Sequence, residues 1–423
     1  MTTRWLAARL ADAAVIQRFA GALDGNRVRS HAIVLAAGIW IAAIVTIATP
    51  GAFDRYGTLK GVDFLQFYTA ARMVADGRVQ QLYDWTAFAT TLRGVVGGTG
   101  DLLFLSVYPP QLALALSPLG HFDYLAALGM WTALTFVLYG CCVRALQHVS
   151  PAFLAHGETW WLVAAAFGPF QQLVMHGQVS ALALVCFTAA WLALRRERWY
   201  WCGAALGSLA FKPPFGVAVL VALVVSREYR VALGAAAATL VQVAAVVAWH
   251  GSTLFIDYLS RVRDVVRAPE VFEPKLWQMH NWKGFWGLLI GTGPFGTAAT
   301  VASSLVALYL VLQVWRATGS PHLRMASLVV GSVLVNPHLY VYDLVVLAVP
   351  LALTTAWMLE HEGSAPASVL RVLVHTLCWL PLAAPLAAVS RVQLTAPCLL
   401  LFLVSLHAAA QMPAAMAREQ AAG

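Results

Sequence analysis

Residues 31–49 read HAIVLAAGIWIAAIVTIAT, His31 to Thr49, with no acidic residue and no lysine or arginine among them. A hydrocarbon layer about 30 Å thick is crossed by a helix of roughly 20 apolar residues, and this run has that length. It exceeds the short apolar core of a secretion signal, so it reads as an uncleaved first span. Arg4, Arg9, Arg18, Arg27 and Arg29 precede it, and basic residues ahead of a first span place the N-terminus in the cytoplasm. The stretch from Trp5-Leu6 to Phe19 fits an amphipathic helix along the membrane surface.

Working outward, runs of the same kind recur at 122–146, 158–175, 179–194, 199–211, 213–226, 231–249, 295–315, 323–336, 343–359, 370–388 and 393–412, with a shorter piece at 109–120. Hydrophobic types make up 60% of the 423 residues and charged types 11%, with a mean hydropathy of +0.73. A soluble domain carries about 25% charged residues, and no soluble core hides this much apolar surface. The fold class expected is all-α: a polytopic membrane protein of about 12 transmembrane helices, in a range of roughly 11–13. The whole of 1–423 reads as a single transmembrane domain. Two polar segments, 50–108 and 250–294, interrupt the pattern. Arg195-Arg196-Glu197-Arg198, Arg227-Glu228-Tyr229-Arg230, Arg316 and Arg324 mark cytoplasmic turns, which puts both long segments on the opposite side. The formal net charge of +8 is explained by these helix ends, so no nucleic-acid partner is expected. All six cysteines fall in apolar runs, and neither a structural disulfide nor a CxxC metal site is expected.

The polar segments hold the residues that could do chemistry. In 62–74, Phe64, Phe67, Tyr68, Ala71 and Val74 have helical spacing, which predicts an amphipathic helix on the outer membrane surface, closed by Gly77. Leu82-Tyr83-Asp84-Trp85 opens a second interfacial piece. Asp63 stands where a helix N-cap belongs; it could equally serve as a general base at the membrane surface. Tyr108-Pro109-Pro110 is a helix start that could also carry Tyr108 to a pocket. Gln178, in His176-Gly177-Gln178, could satisfy a helix end or bind a sugar hydroxyl. Lys212, before Pro213-Pro214, lies amid apolar runs where a charge is costly; it either snorkels to the interface or binds phosphate as a point charge. Asn281 and Lys283 lie in a polar re-entry loop, and His338 and Asp343 in Asn336-Pro337-His338-Leu339-Tyr340-Val341-Tyr342-Asp343.

Taken in order, Asp63-Phe64, Tyr68, Ala71-Arg72, Gly77, Leu82-Tyr83-Asp84, Tyr108-Pro109-Pro110, Ser117-Pro118-Leu119, Gly177-Gln178, Gly203, Gly207 and Lys212-Pro213 resemble glycosyltransferase family 87. That resemblance implies the GT-C architecture, with surface helices on the outer face. It also implies an inverting transfer of mannose or a related hexose from a polyprenyl-phosphate donor to a lipid or glycan acceptor. The site would lie on the periplasmic or extracellular face of a cell inner (plasma) membrane. Asp63 would be the catalytic base. Lys212, Arg72, Lys283 and His338 would face the donor phosphate, and Tyr68, Tyr108, Gln178, Asn281 and Asp343 the sugar or acceptor. Gly61-Val62-Asp63 departs from the paired Asp-x-Asp of some GT-C families, so no metal and no other cofactor is expected. The chemistry agrees: a prenyl chain dissolves only in the bilayer while its phosphosugar head is polar, so both meet at the interface, where cations stabilise the leaving phosphate. The alternative is a transporter or flippase of a lipid-linked sugar, suggested by the broken, charged segments around Lys212.

Overall fold

The structure, a computed structural model, describes residue 9 and residues 14–95, 104–225, 227–267 and 275–412. Arg4 and Trp5-Leu6 of the amphipathic stretch, and residues 96–103 and 268–274 of the two polar segments, lie outside the described residues. Among the described residues, six helices are long and apolar enough to cross a bilayer: Gly25–Ile47, Tyr124–Gln147, Tyr229–His250, Pro294–Ala317, Val341–Glu360 and Ala365–Ser390. Three shorter apolar helices, Ser180–Leu194, Pro321–Val335 and Thr395–Ala410, accompany them. Among the described residues, strand-like pairing is limited to the isolated bridges Phe53 with Leu59 and Met279 with Tyr340. The chain is a polytopic α-helical membrane protein.

Burial separates the centre from the periphery. The apolar window of Val341–Glu360 is 89% buried in protein and that of Gly25–Ile47 only 11%. The first long helix therefore turns Val34, Ile41 and Ile44 outward, as lipid contact requires, whereas Val341–Glu360 is the core element. Its first residues, Val341–Leu347, are wound as a tighter 3-10 helix.

Two predicted spans are broken, and the breaks shape the site. The run 158–175 divides into Gly157–Ala165 and Gly168–His176, with Pro169 in the first turn of the second piece. The runs 199–211 and 213–226 form a hairpin. A Cβ on Gly203 would stand 2.0 Å from the Val231 carbonyl oxygen, and one on Gly207 2.2 Å from that of Ala235. Small residues thus bring Trp199–Gly207 and Tyr229–His250 backbone to backbone. Residue 203 meets 231 and residue 207 meets 235, so these helices run parallel, and Pro213–Val225 between them must run back. Lys212 sits at that reversal. The returning arm has 13 residues, about 20 Å, short of the roughly 30 Å of a full hydrocarbon core.

The predicted surface helix forms at Phe64–Ala75, and Gly77 follows with a φ of +74°. Its apolar face does not meet lipid, however. Phe64, Leu65, Phe67, Tyr68, Thr69, Ala70, Ala71 and Met73 are all buried in protein. Part of the cover comes from the piece at 109–120, which forms the helix Pro110–Leu116 and a 3-10 turn, Ser117–His121. Seven residues reach about 10 Å, so this helix cannot cross the layer. A Cβ on Gly120 would lie 2.5 Å from the Ala71 carbonyl oxygen, which is how closely the turn underlies the surface helix.

Candidate active site

Asp63 holds the N-cap position of Phe64–Ala75, yet its backbone is already helical (φ −77°, ψ −21°) and its side chain makes no capping hydrogen bond. Its Oδ2 instead accepts from Gln178 Nε2 at 2.9 Å. Gln178 is 2% exposed, and because a carboxylate can only accept, its amide nitrogen must point this way. The backbone sets up the pair. Gly61 and Gly177 have φ of +63° and +67°, a region that costs other residues strain, and a Cβ on Gly177 would lie 2.6 Å from Phe64 Cβ. Asp63 N donates to His176 O at 3.1 Å, and the Tyr124 hydroxyl donates to the carbonyls of Lys60 and Gly61 at 2.7 and 2.9 Å. Sequence places a carboxylate at a helix start; packing of two glycine turns decides that it faces residue 178 and not its own helix.

A second acid is treated differently. Asp343, fully buried, forms an ion pair through Oδ1 with Lys212 Nζ and accepts on the same oxygen from Ser180 Oγ. Its Oδ2 accepts from Tyr340 N at 3.2 Å. Lys212, 3% exposed, also donates to Ser180 Oγ at 3.0 Å. Its ammonium is walled by the rings of Tyr342, Phe215 and Tyr108, with centroids at 5.7, 5.8 and 5.9 Å. A buried charge is tolerated when paired and hydrogen-bonded, and the tip of the short hairpin, the start of Ser180–Leu194 and the start of Val341–Glu360 meet here to do that. The point charge expected at Lys212 is therefore a paired one.

The two acids share one region. His176, whose carbonyl holds Asp63, packs its ring at a tilt against that of Tyr342, with centroids 5.6 Å apart, and Tyr342 walls Lys212 in turn. Counting hydrogen-bonding capacity separates their roles. Both oxygens of Asp343 are used, whereas Asp63 Oδ1 has no hydrogen-bond partner among the described residues. Beside Tyr108 lies a small apolar cleft bordered by Gln66, Phe67, Ala70, Leu105 and Leu112, and the Tyr108 ring meets Phe67 edge-on at 4.9 Å. Burial holds the Tyr108 phenol above its usual pKa, against the pull of the Lys212 charge. A half-open carboxylate, an apolar cleft and a braced cation around tyrosines suit an amphiphilic substrate with a polar head.

Residues 104–337, more than half of the chain, match glycosyltransferase family 87. The chain belongs to glycosyltransferase family 87. No curated protein and no solved structure matches it. The matched stretch of this family 87 member contains Tyr108, Gln178, Ser180 and Lys212; Asp63 precedes it, and His338 and Asp343 follow it directly. Membership makes the chain a membrane glycosyltransferase, with a sugar donor and an acceptor as its substrates and the bilayer as its surroundings.

Of the residues singled out from the sequence of this family 87 protein, Asp63, Gln178, Tyr108, Lys212 and Asp343 come together. Tyr68 and Arg72 do not join them. The Tyr68 hydroxyl donates to Phe122 O at 2.6 Å, and Arg72 pairs with Asp76 at 3.2 Å and donates to Gly120 O at 3.1 Å, so both fasten the surface helix to the turn beneath it. Asn281 caps Trp282–Ile290 through Gly284 N at 2.8 Å and donates to Asn336 O at 2.7 Å. Lys283 is the second residue of that helix, and His338 is half-buried with its ring edge-on to Tyr340 at 4.9 Å. The loops carrying Asn281 and His338 run side by side, His280 N donating to Leu339 O at 3.0 Å, and lead into Tyr340-Val341-Tyr342-Asp343. Ser180 and Tyr342 escaped the sequence reading, because a serine or tyrosine at a helix start carries no sign of a partner more than a hundred residues away.

Proposed function

We propose that this chain transfers mannose or a related hexose from a polyprenyl-phosphate donor to a lipid or glycan acceptor on the non-cytoplasmic face of the plasma membrane, with inversion and with Asp63 as general base. The observation that carries the proposal is the asymmetry of Asp63: one oxygen is held by Gln178, and the other has no partner among the described residues, beside the Tyr108 and Lys212 cluster. In the reaction, an acceptor hydroxyl binds Asp63 Oδ1 and attacks the anomeric carbon from the face opposite the phosphate. Its proton passes to Asp63, and the bond from that carbon to the phosphate oxygen breaks with its electron pair on the prenyl phosphate. A positioned base contributes about 10²–10⁴-fold to such a step. The apolar cleft beside Tyr108 supports a prenyl donor, since it sets hydrocarbon-compatible surface next to cationic and hydroxyl groups.

The test is direct. Purified protein is incubated with radiolabelled polyprenyl-phosphate hexoses and a membrane lipid extract, and labelled product is identified. Asp63→Asn keeps an acceptor oxygen for Gln178 but removes the basic carboxylate; product formation is expected to fall at least about 100-fold with the thermal midpoint unchanged. Near-normal turnover by the variant removes Asp63 as base. Movement of intact donor across a liposome membrane with no glycosidic product supports the transporter alternative.

A further inference from the structure

Transfer leaves one additional negative charge on the departing phosphate, and the donors that meet it have to be unspent in the resting protein. Most polar groups in this region are spent. Both oxygens of Asp343 are engaged by Lys212, Ser180 and Tyr340. The Tyr124 hydroxyl donates to the carbonyls of Lys60 and Gly61, and the Tyr83 hydroxyl to Tyr108 O at 2.7 Å. Two hydroxyls differ. Those of Tyr108 and Tyr342 have no hydrogen-bond acceptor among the described residues, and the Tyr108 hydroxyl faces the Lys212 ammonium as its acceptor. The ring centroids of both lie within 6 Å of Lys212 Nζ. Lys212 itself has three N–H groups, and Asp343 and Ser180 take two.

Building on the donor assignment above, we propose that Tyr108 and Tyr342 are the leaving-group donors of this enzyme: their hydroxyls, flanking the ammonium of Lys212, hydrogen-bond the phosphate of the prenyl donor as its charge develops. Asp343 and Ser180 are positioning residues that act through Lys212. They engage two of its N–H groups, and the Tyr108 hydroxyl lies within hydrogen-bonding reach of the third. The division of labour is by hydrogen-bond sense. Asp63 Oδ1 is an unspent acceptor and suits an incoming hydroxyl. The two phenols are unspent donors and suit a phosphate oxygen. Tyr108 also borders the small apolar cleft, which sets apolar surface beside a phosphate held there. No proton leaves either tyrosine; each donates a hydrogen bond that strengthens as the bond to carbon lengthens.

Tyr108→Phe and Tyr342→Phe keep both rings, and hence the packing around Lys212. Protein in nanodiscs is titrated with decaprenyl phosphate, which is the leaving group without a sugar, and turnover is measured in parallel. Each variant is expected to bind decaprenyl phosphate about tenfold more weakly, as loss of a hydrogen bond to a charged group implies. Each should lose roughly 100-fold or more in kcat, with acceptor KM and thermal midpoint unchanged. Asp343→Asn tests the positioning role: kcat should fall further than KM rises, and Asp343→Glu should restore part of it. Wild-type protein that binds no decaprenyl phosphate sinks the prenyl-phosphate reading and this inference with it. Wild-type protein that binds it, together with tyrosine variants that bind and turn over normally, overturns the inference alone.

Discussion

Two carboxylates of similar sequence prominence have opposite circumstances, and the difference is a matter of single hydrogen bonds. Asp343 has both oxygens engaged inside protein, while Asp63 has one oxygen unengaged among the described residues. A third buried polar group, His280, invites a pH experiment. It is fully buried, its Nδ1 lies 2.9 Å from Thr395 Oγ1, and Nε2 has no partner among the described residues. Burial pushes its pKa down to about 3. The unfolded chain would take up this proton near the ordinary value of about 6.5, so the unfolded state binds more protons across the interval. The stabilisation is complete above about 6.5 and is lost as pH falls toward 3. Thermal midpoints in detergent should decline over that window, and His280→Gln should flatten this part of the profile. Parallel profiles for the two proteins would show that His280 does not contribute.

At the scale of elements, turns and tips matter more than spans. The surface helix, the Gly168–His176 helix, the short hairpin and the 3-10 start of Val341–Glu360 each send one end to the same place. Gly177 is the most exposed to test. Alanine there meets a positive φ and brings its Cβ to 2.6 Å from Phe64 Cβ, a conflict worth about 1–3 kcal/mol. Gly177→Ala is expected to lower the thermal midpoint and, by moving Gln178 away from Asp63, to cut turnover more than the lost stability accounts for. A variant with native turnover and midpoint would show that the turn tolerates the change. The amphipathic pattern of 62–74 was legible because helical spacing is local. That its apolar side is covered by protein was not, since the cover comes from residues some fifty positions on.

For the molecule as a whole, the proposed sidedness has a direct check. Tyr56 is exposed before the surface helix, and Arg196 is exposed in the turn between Ser180–Leu194 and Trp199–Gly207. All six native cysteines lie within helices. A membrane-impermeant thiol reagent should modify Tyr56→Cys from outside intact cells and Arg196→Cys only in inverted vesicles. The reverse pattern, or modification of both from one side, would invert or abolish the topology on which the periplasmic or extracellular site depends.

Sequence by itself determined that this chain lives in a bilayer and is helical, because hydropathy sums over neighbouring residues and a hydrocarbon solvent leaves the backbone few choices. The ordered motifs from Asp63 to Lys212 also pointed to family 87, since spacing survives in one dimension. Only the tertiary structure decided that Gln178 reaches Asp63 across 115 positions, that Lys212 is braced by Asp343 across 131, and that Ser180 joins them across 163. Pairing of this kind depends on distance in space, which broken spans and close glycine contacts set and which no local pattern encodes.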